Sequence, residues 1–412
     1  MWPRGPVANS HPAAKILHNL STEGCPLDCG EEWSEEHLLA ALKRGPHISA
    51  KEPEAIKYLL QETQEKIKGN YLKVVKWGDI KHNHPKNMKI SPIALIPHKS
   101  RSFRCILDLS FQLKVKNKKL SSVNKGTRSK APKKAMAQLG HSMNRIINIL
   151  ASHHDKSTPF YFSKCNIKDG FWRMSVSQQD AWNFCYVLPS LQPYQSIDDI
   201  EIVVPHALQM GWTESPPYFC TATETARDII DIYLHHIPNL PQHPLEKHLI
   251  SNMPKPITPF LETQQQINNT EVYVDDFIGM TNNLQQNHIL QYSRAILHSI
   301  HSIFPPPSVS KHKGEDPISV KKLIQGEGLW HYKKELLGWD VNGKEYTIQL
   351  PKAKQDKLIT LLTTIIKNKK CTLETFQKLQ GKLIHASTGI PNGKGLLSVV
   401  FKATINKPKL QV

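Results

Sequence analysis

The chain has 412 residues and is 39% hydrophobic, enough apolar material to bury a core and too much for a disordered polymer. Lys and Arg number 53 against 35 Asp and Glu, a formal charge of +18, which suits a phosphate-rich partner whose condensed counterions the cations displace. No run approaches the roughly 18 apolar residues of a membrane span, and MWPRGPVANS lacks the apolar centre of a secretory signal; an intracellular protein of cytoplasm or nucleus is expected, its seven cysteines reduced.

Near the N-terminus, Ser34 stands as a cap before Glu35 and Glu36, Lys43 and Arg44 fill the last turn, and Gly45-Pro46 stops it, so the pattern predicts a helix over 35–44. A second helix runs from Pro53 to about Lys68 and ends at Gly69. Cys25 and Cys29 in CPLDCG resemble half a zinc site, but no second pair follows at finger-like spacing. Ordinary loop cysteines are expected, with a zinc or protein-interaction module over the first 70 residues as the alternative. From Tyr71 the pattern changes to short strands, YLKVV, PIALIPH and FRCILDL, which makes residues 1–70 a helical extension ahead of a mixed sheet. Lys114 to Lys134 then holds nine Lys or Arg and no acid.

Met136, Leu139, Met143, Ile146, Ile147 and Leu150 fall at helical spacing and predict one amphipathic helix. SKCNIKDGFWRM, residues 163–174, reads as a strand. WNFCYVLP and DIEIVVPH read as a hairpin pair around a polar loop at 189–197, and GWTESPP turns into a helix carrying Ala222, Ala226, Ile229, Ile230 and Tyr233. The Pro- and Gln-rich stretch from Pro238 to Thr270 reads as an insertion or flexible loop. In EVYVDDFIGM, Asp275 and Asp276 interrupt an apolar strand. Adjacent carboxylates between Val274 and Phe277 make a poor core and suit a hairpin tip that offers oxygen ligands to divalent cations. A solvated surface turn is the plain alternative. A helix from about Leu284 to Phe304 follows, then LLGWDV and YTIQLP as a strand pair. Two C-terminal helices close the chain, one with Leu358, Leu361, Leu362, Ile365 and Ile366 on one face, the other with Phe376, Leu379 and Leu383 inward. Lys378, Lys382 and His385 point elsewhere, and the two lysines suit contact with a nucleic-acid backbone.

FRCILDL, NIKDGF, QMGWTESP, YVDD and LLGWDV occur in that order, and on this succession the chain resembles reverse transcriptases of the retrotransposon and retroviral type over roughly residues 71–410. The resemblance implies an α+β fold, a right-hand polymerase with fingers, a palm on an antiparallel sheet and a helical thumb, preceded by the helical N-terminal extension of 1–70. It puts fingers at 71–135, palm at 136–346 with a fingers hairpin at about 182–208 and an insertion at about 238–270, and a thumb-like helical region at 347–412. It implies template-directed DNA synthesis from dNTPs on an RNA or DNA template with a DNA primer, through two Mg2+ or Mn2+ ions about 3.5 to 4 Å apart.

By the same resemblance Asp275 and Asp276 are metal-binding carboxylates. Arg104 and Lys99 meet the incoming triphosphate as a rigid fork and a point charge. Asp169 and Gly170 offer backbone N–H groups to the phosphates, and Phe171 abuts the sugar and excludes a 2′-hydroxyl. Met210 stands where the family has Gln or Phe against nucleotide and template. Lys321 or Lys322 protonates departing pyrophosphate, and Leu337, Gly338 and Trp339 grip the primer.

One position departs from the family. The Asp that the family's counterpart of NIKDGF supplies to the metals corresponds to Asn166, an amide without charge, and a loss of about 4 kcal/mol in transition-state stabilisation is roughly a thousandfold in rate. On an unbroken strand Asp169 faces away from position 166, so it is not expected to substitute. The two readings are a mobile-element polymerase impaired in this copy and a catalytically inactive nucleic-acid-binding protein. After Pro351 only Asp356 and Glu374 remain as acids, too few for an RNase H carboxylate cluster, and the abrupt start suggests a fragment of a polyprotein or a truncated gene.

Overall fold

The computed structural model describes residues 3–98, 102–116, 118–237, 239–251, 265–309, 315–390 and 392–405, which form mixed helices and short sheets. The strands are β1 (Leu72–Lys76), β2 (Ile93–Pro97), β3 (Phe103–Leu107), β4 (Lys114–Val115), β5 (Lys118–Lys119), β6 (Tyr161–Asn166), β7 (Tyr186–Val187), β8 (Glu201–Pro205), β9 (Asn268–Tyr273), β10 (Asp276–Thr281), β11 (Lys333–Leu336), β12 (Trp339–Asn342) and β13 (Thr347–Gln349). The chain divides into two compact units, the first Met1–Ala137, Asn166–Pro238 and Ala295–Val320, the second Gln138–Cys165, Asn239–Arg294 and Lys321–Val412. No helix among the described residues is long and apolar enough to cross a membrane.

In the first unit the expected helices are present as Glu35–Arg44, opened by Ser34, and Pro53–Lys68, closed by Gly69. Two more precede them, Pro6–Ser10 and Ala14–Glu23, which carry no acidic first turn and no basic last turn; Pro6 at the start of the first and Gly24 after the second are the end signals they do carry. Cys25 and Cys29 lie buried in the loop that follows, and Cys25 exchanges backbone hydrogen bonds with Ser175 and Ser177. The Tyr218 hydroxyl donates to the Pro26 carbonyl at 2.9 Å and the Asp180 carboxylate accepts from the Leu27 N–H at 2.9 Å, so the first 70 residues share the core of this unit.

The sheet β1-β8-β7 is antiparallel, with Leu72 opposite Pro205 and Tyr186 opposite Val203, and β2 pairs with β3 from Ile93–Leu107 to Pro97–Phe103. The helix Ser215–His236 buries Ala222, Ala226, Ile229 and Ile230 as its periodicity predicts, and Phe219 with them, while Tyr233, expected on the same face, is only partly buried. The strand expected over 163–174 does not run its length: β6 stops at Asn166, and Gly170–Arg173 is a turn of 3-10 helix. The break has a local cause, because Asp169 and Gly170 take φ of 63° and 41°, outside the extended region.

The second unit is built on the sheet β6-β10-β9. Met143, Ile146 and Leu150 of the helix Ser142–Ser152 pack with Phe160, Phe162, Ile278, Met280, Leu336, Trp339 and Val341. The single helix expected from Met136 to Leu150 is two, Met136–Leu139 and Ser142–Ser152, parted at Gly140-His141, where glycine's backbone freedom favours the break. β11-β12-β13 form a second antiparallel sheet. The C-terminal helices Lys352–Asn368 and Leu373–Ser387 bury Ile365, Phe376 and Leu379, but Ile366 is 70% exposed, a correction to the apolar face read from the sequence. Of the Pro- and Gln-rich stretch, 252–264 lies outside the described residues; ahead of it Leu240 and Leu249 are buried and Glu246 clamps Arg294 at 2.7 Å.

Candidate functional site

In the second unit, Tyr273 pairs with Asp276, so β9 and β10 are joined by a two-residue turn of Val274 and Asp275. The adjacent carboxylates therefore stand at a hairpin tip. Val274 adopts φ of 56°, a left-handed conformation that costs a β-branched residue on the order of 1–3 kcal/mol. What holds the hairpin against that strain lies below the turn: buried Glu271 is gripped by Arg145, whose Nε reaches both carboxylate oxygens at 2.8 and 2.9 Å, and Ser142 Oγ donates to the Val272 carbonyl at 3.0 Å.

Lys164 of β6 places its ammonium 3.4 Å from Asp276 Oδ2 and 3.6 Å from Glu327 Oε2. Burial alone would lower the Lys164 pKa, but Asp276 and then Glu327 draw it above the ordinary value. Lys334 donates to the Glu327 carbonyl at 2.7 Å, and burial holds its pKa down to about 8. Burial likewise pushes the Cys165 thiol up to about 12, which leaves it protonated.

The LLGWDV segment is a hairpin turn between β11 and β12, with Leu336 opposite Trp339. Leu337 and Gly338 both carry positive φ, 49° and 81°, as the turn that matches strand twist requires. Lys354 Nζ donates to the Gly338 carbonyl at 2.8 Å. Trp339 is 5% exposed and its ring lies 5.4 Å from that of His385, so His385 packs on the hairpin and does not point away. Lys378 is paired with Glu374 at 2.6 Å on an exposed face, and Lys382 is exposed beside it. Lys321 and Lys322 lie on the short helix Val320–Ile324, the first exposed and the second partly buried.

In the first unit, Asn166 is 7% exposed and its carbonyl accepts from the Ser319 N–H at 2.8 Å. Asp169, three residues on, is paired with Lys66 at 2.9 Å, and that ammonium also sits 5.3 and 5.1 Å from the ring centres of Tyr71 and Trp172. Burial by itself would raise the Asp169 carboxyl, but Lys66 and then Arg173 and Lys168 hold it below the usual range. Phe171 is half-buried and meets Phe219 edge-on at 5.3 Å. Arg173 ties the loop down through the carbonyls of Lys168, Glu315 and Asp316.

Met210 is 42% exposed, and neighbouring Gln209 is buried with its amide donating to the Ala207 carbonyl at 2.9 Å. Gly211 carries φ of 110°, and a Cβ there would stand 2.4 Å from the Leu107 carbonyl oxygen, so only glycine fits. Asn124 bridges this segment, donating to the Gly211 carbonyl and accepting from the Thr213 N–H. Arg104 is exposed on β3, and Lys99 lies outside the described residues.

No protein family's sequence profile matches the chain. No curated protein matches it either. Among solved structures the chain is similar to the foamy viral protease-reverse transcriptase dRH in complex with double-stranded DNA, with a TM-score of 0.47, 16% identity, and coverage of 93% of this chain and 48% of that one. The chain thus spans about half the length of that protein.

The Lys164 ammonium stands beside Asp276, one of the two adjacent carboxylates at the hairpin tip. Among the described residues no group of three His, Cys, Asp or Glu comes together in a way that could hold a metal ion. Sequence reasoning missed Lys164, Lys66 and Asn124. Lys164 could have been found, since it lies two residues before Asn166 and so shares its face of the strand; Lys66 and Asn124 act over distances in the chain that no local pattern records.

Proposed function

We propose that the chain is a reverse-transcriptase-related protein that binds primer-template nucleic acid and in which nucleotidyl transfer from dNTPs is impaired. In this reading fingers, palm and thumb follow the partition 71–135, 136–346 and 347–412, and Arg104, Asp169, Gly170, Phe171 and Met210 are what remains of the nucleotide pocket. The observation that carries it is the hairpin turn bearing Asp275 and Asp276, in a chain whose five motifs keep the polymerase order while NIKDGF supplies Asn166. The family's Mg2+ or Mn2+ ions would supply charge neutralisation at the transferring phosphate; with an amide at one of three ligand positions that charge is under-compensated. The charge of +18 supports retained binding.

Binding is tested with a fluorescent primer-template duplex titrated at rising salt. Affinity should fall steeply on a log–log plot, by about 0.9 per phosphate contacted. A salt-insensitive affinity, or none, would refute the reading.

A further inference from the structure

β4 and β5 form a two-stranded hairpin whose register sets Lys114 directly opposite Lys119, both exposed. Like charges facing each other across a strand pair destabilise it, and two-residue strands have little else to hold them. The hairpin is secured from outside at both ends: near its base Arg44, at the end of the helix Glu35–Arg44, lies 3.6 Å over the ring of Phe111, and at its turn Lys116 pairs with Glu36 of the same helix. The hairpin is thus held in place by other residues while its facing lysines work against it. Downstream, Lys125, Arg128 and Lys130 are also exposed, and the whole run from Lys114 to Lys134 contains no acid that could answer them from within.

We infer that this hairpin and the basic run after it are a binding surface for the phosphate backbone of nucleic acid, an addition to the nucleic-acid binding proposed above, on which it rests. A polyanion laid across Lys114 and Lys119 converts their mutual repulsion into two attractions, which is the arrangement's reason to persist. The partner is a nucleic-acid backbone, because most of the exposed side chains of the run are Lys or Arg, the cations that meet phosphates.

The test uses the full chain and the double variant Lys114→Gln with Lys119→Gln, measuring primer-template affinity across salt concentrations together with thermal unfolding. The log–log salt slope should become shallower by about 1.4 to 1.8, two contacts at roughly 0.7 each for a single strand or 0.9 for a duplex. The melting temperature should hold or rise, because a repulsion has been removed. A second variant, Lys114→Glu, places opposite charges across the pair and should raise the melting temperature while weakening binding. An unchanged slope overturns the inference, as does a melting temperature that falls in both variants, or a variant that loses only its binding to anionic lipid vesicles. Wild-type protein that fails to bind nucleic acid at all defeats the underlying reading instead, so the two failures are distinct.

Discussion

Lys66 and Asp169 meet at 2.9 Å with most of both side chains out of water, and the ammonium is flanked by the Tyr71 and Trp172 rings. Removing one partner of such a pair leaves a buried charge without an answer, which typically costs about 3–5 kcal/mol. Lys66→Met should therefore lower stability in urea by about 3 kcal/mol, and Lys66→Arg should recover most of it. An unchanged midpoint for Lys66→Met would show that solvent screens Asp169 after all. The pair also bears on the expectation that Asp169 does not stand in for a carboxylate at 166. Strand alternation was the reason available from the sequence, yet the strand has ended by then, and it is Lys66 that claims the side chain. The partner of Asp169 was not legible in the sequence, because it comes from a distant helix.

The β9–β10 hairpin shows what an element needs in order to present an awkward turn. Its far end is closed by His288, whose Nε2 lies 3.0 Å from Asn268 Oδ1 and 3.2 Å from Thr281 Oγ1. Burial pushes the His288 pKa from an ordinary 6.5 down to about 4. Between those values the unfolded chain binds the proton and the folded one does not, so stability falls as pH drops from about 6.5 toward about 4. His288→Gln keeps hydrogen-bonding capacity without the titration, and urea midpoints at pH 7 and pH 5 should lie closer together for the variant than for the parent. Equal separations would mean that His288 is not what links this hairpin to pH. The hairpin was legible from EVYVDDFIGM, since acids inside an apolar run leave a turn as the economical solution. The helices Pro6–Ser10 and Ala14–Glu23 were not, because with no acidic first turn and no basic last turn their end signals reduce to Pro6 and Gly24, and helices this short depend on packing that no local pattern records.

At the scale of the molecule, periodicity and turn chemistry sufficed for most of the strands and long helices, while the grouping of non-contiguous segments into two units was invisible, because it depends on contacts between distant parts of the chain. In the proposed function, the motif order and the basic charge stand for retained binding of nucleic acid, and Asn166 stands for a charge lost at a position the chemistry would use. These are separable properties, and one measurement separates them: primer extension with dNTPs in Mg2+ and in Mn2+, by the parent chain and by Asn166→Asp, with primer-template affinity recorded for both. The account predicts little or no extension by the parent, a gain of at least about two to three orders of magnitude in the variant, and nearly equal affinities. Robust extension by the unmodified chain, or no gain on restoring the carboxylate, would contradict it.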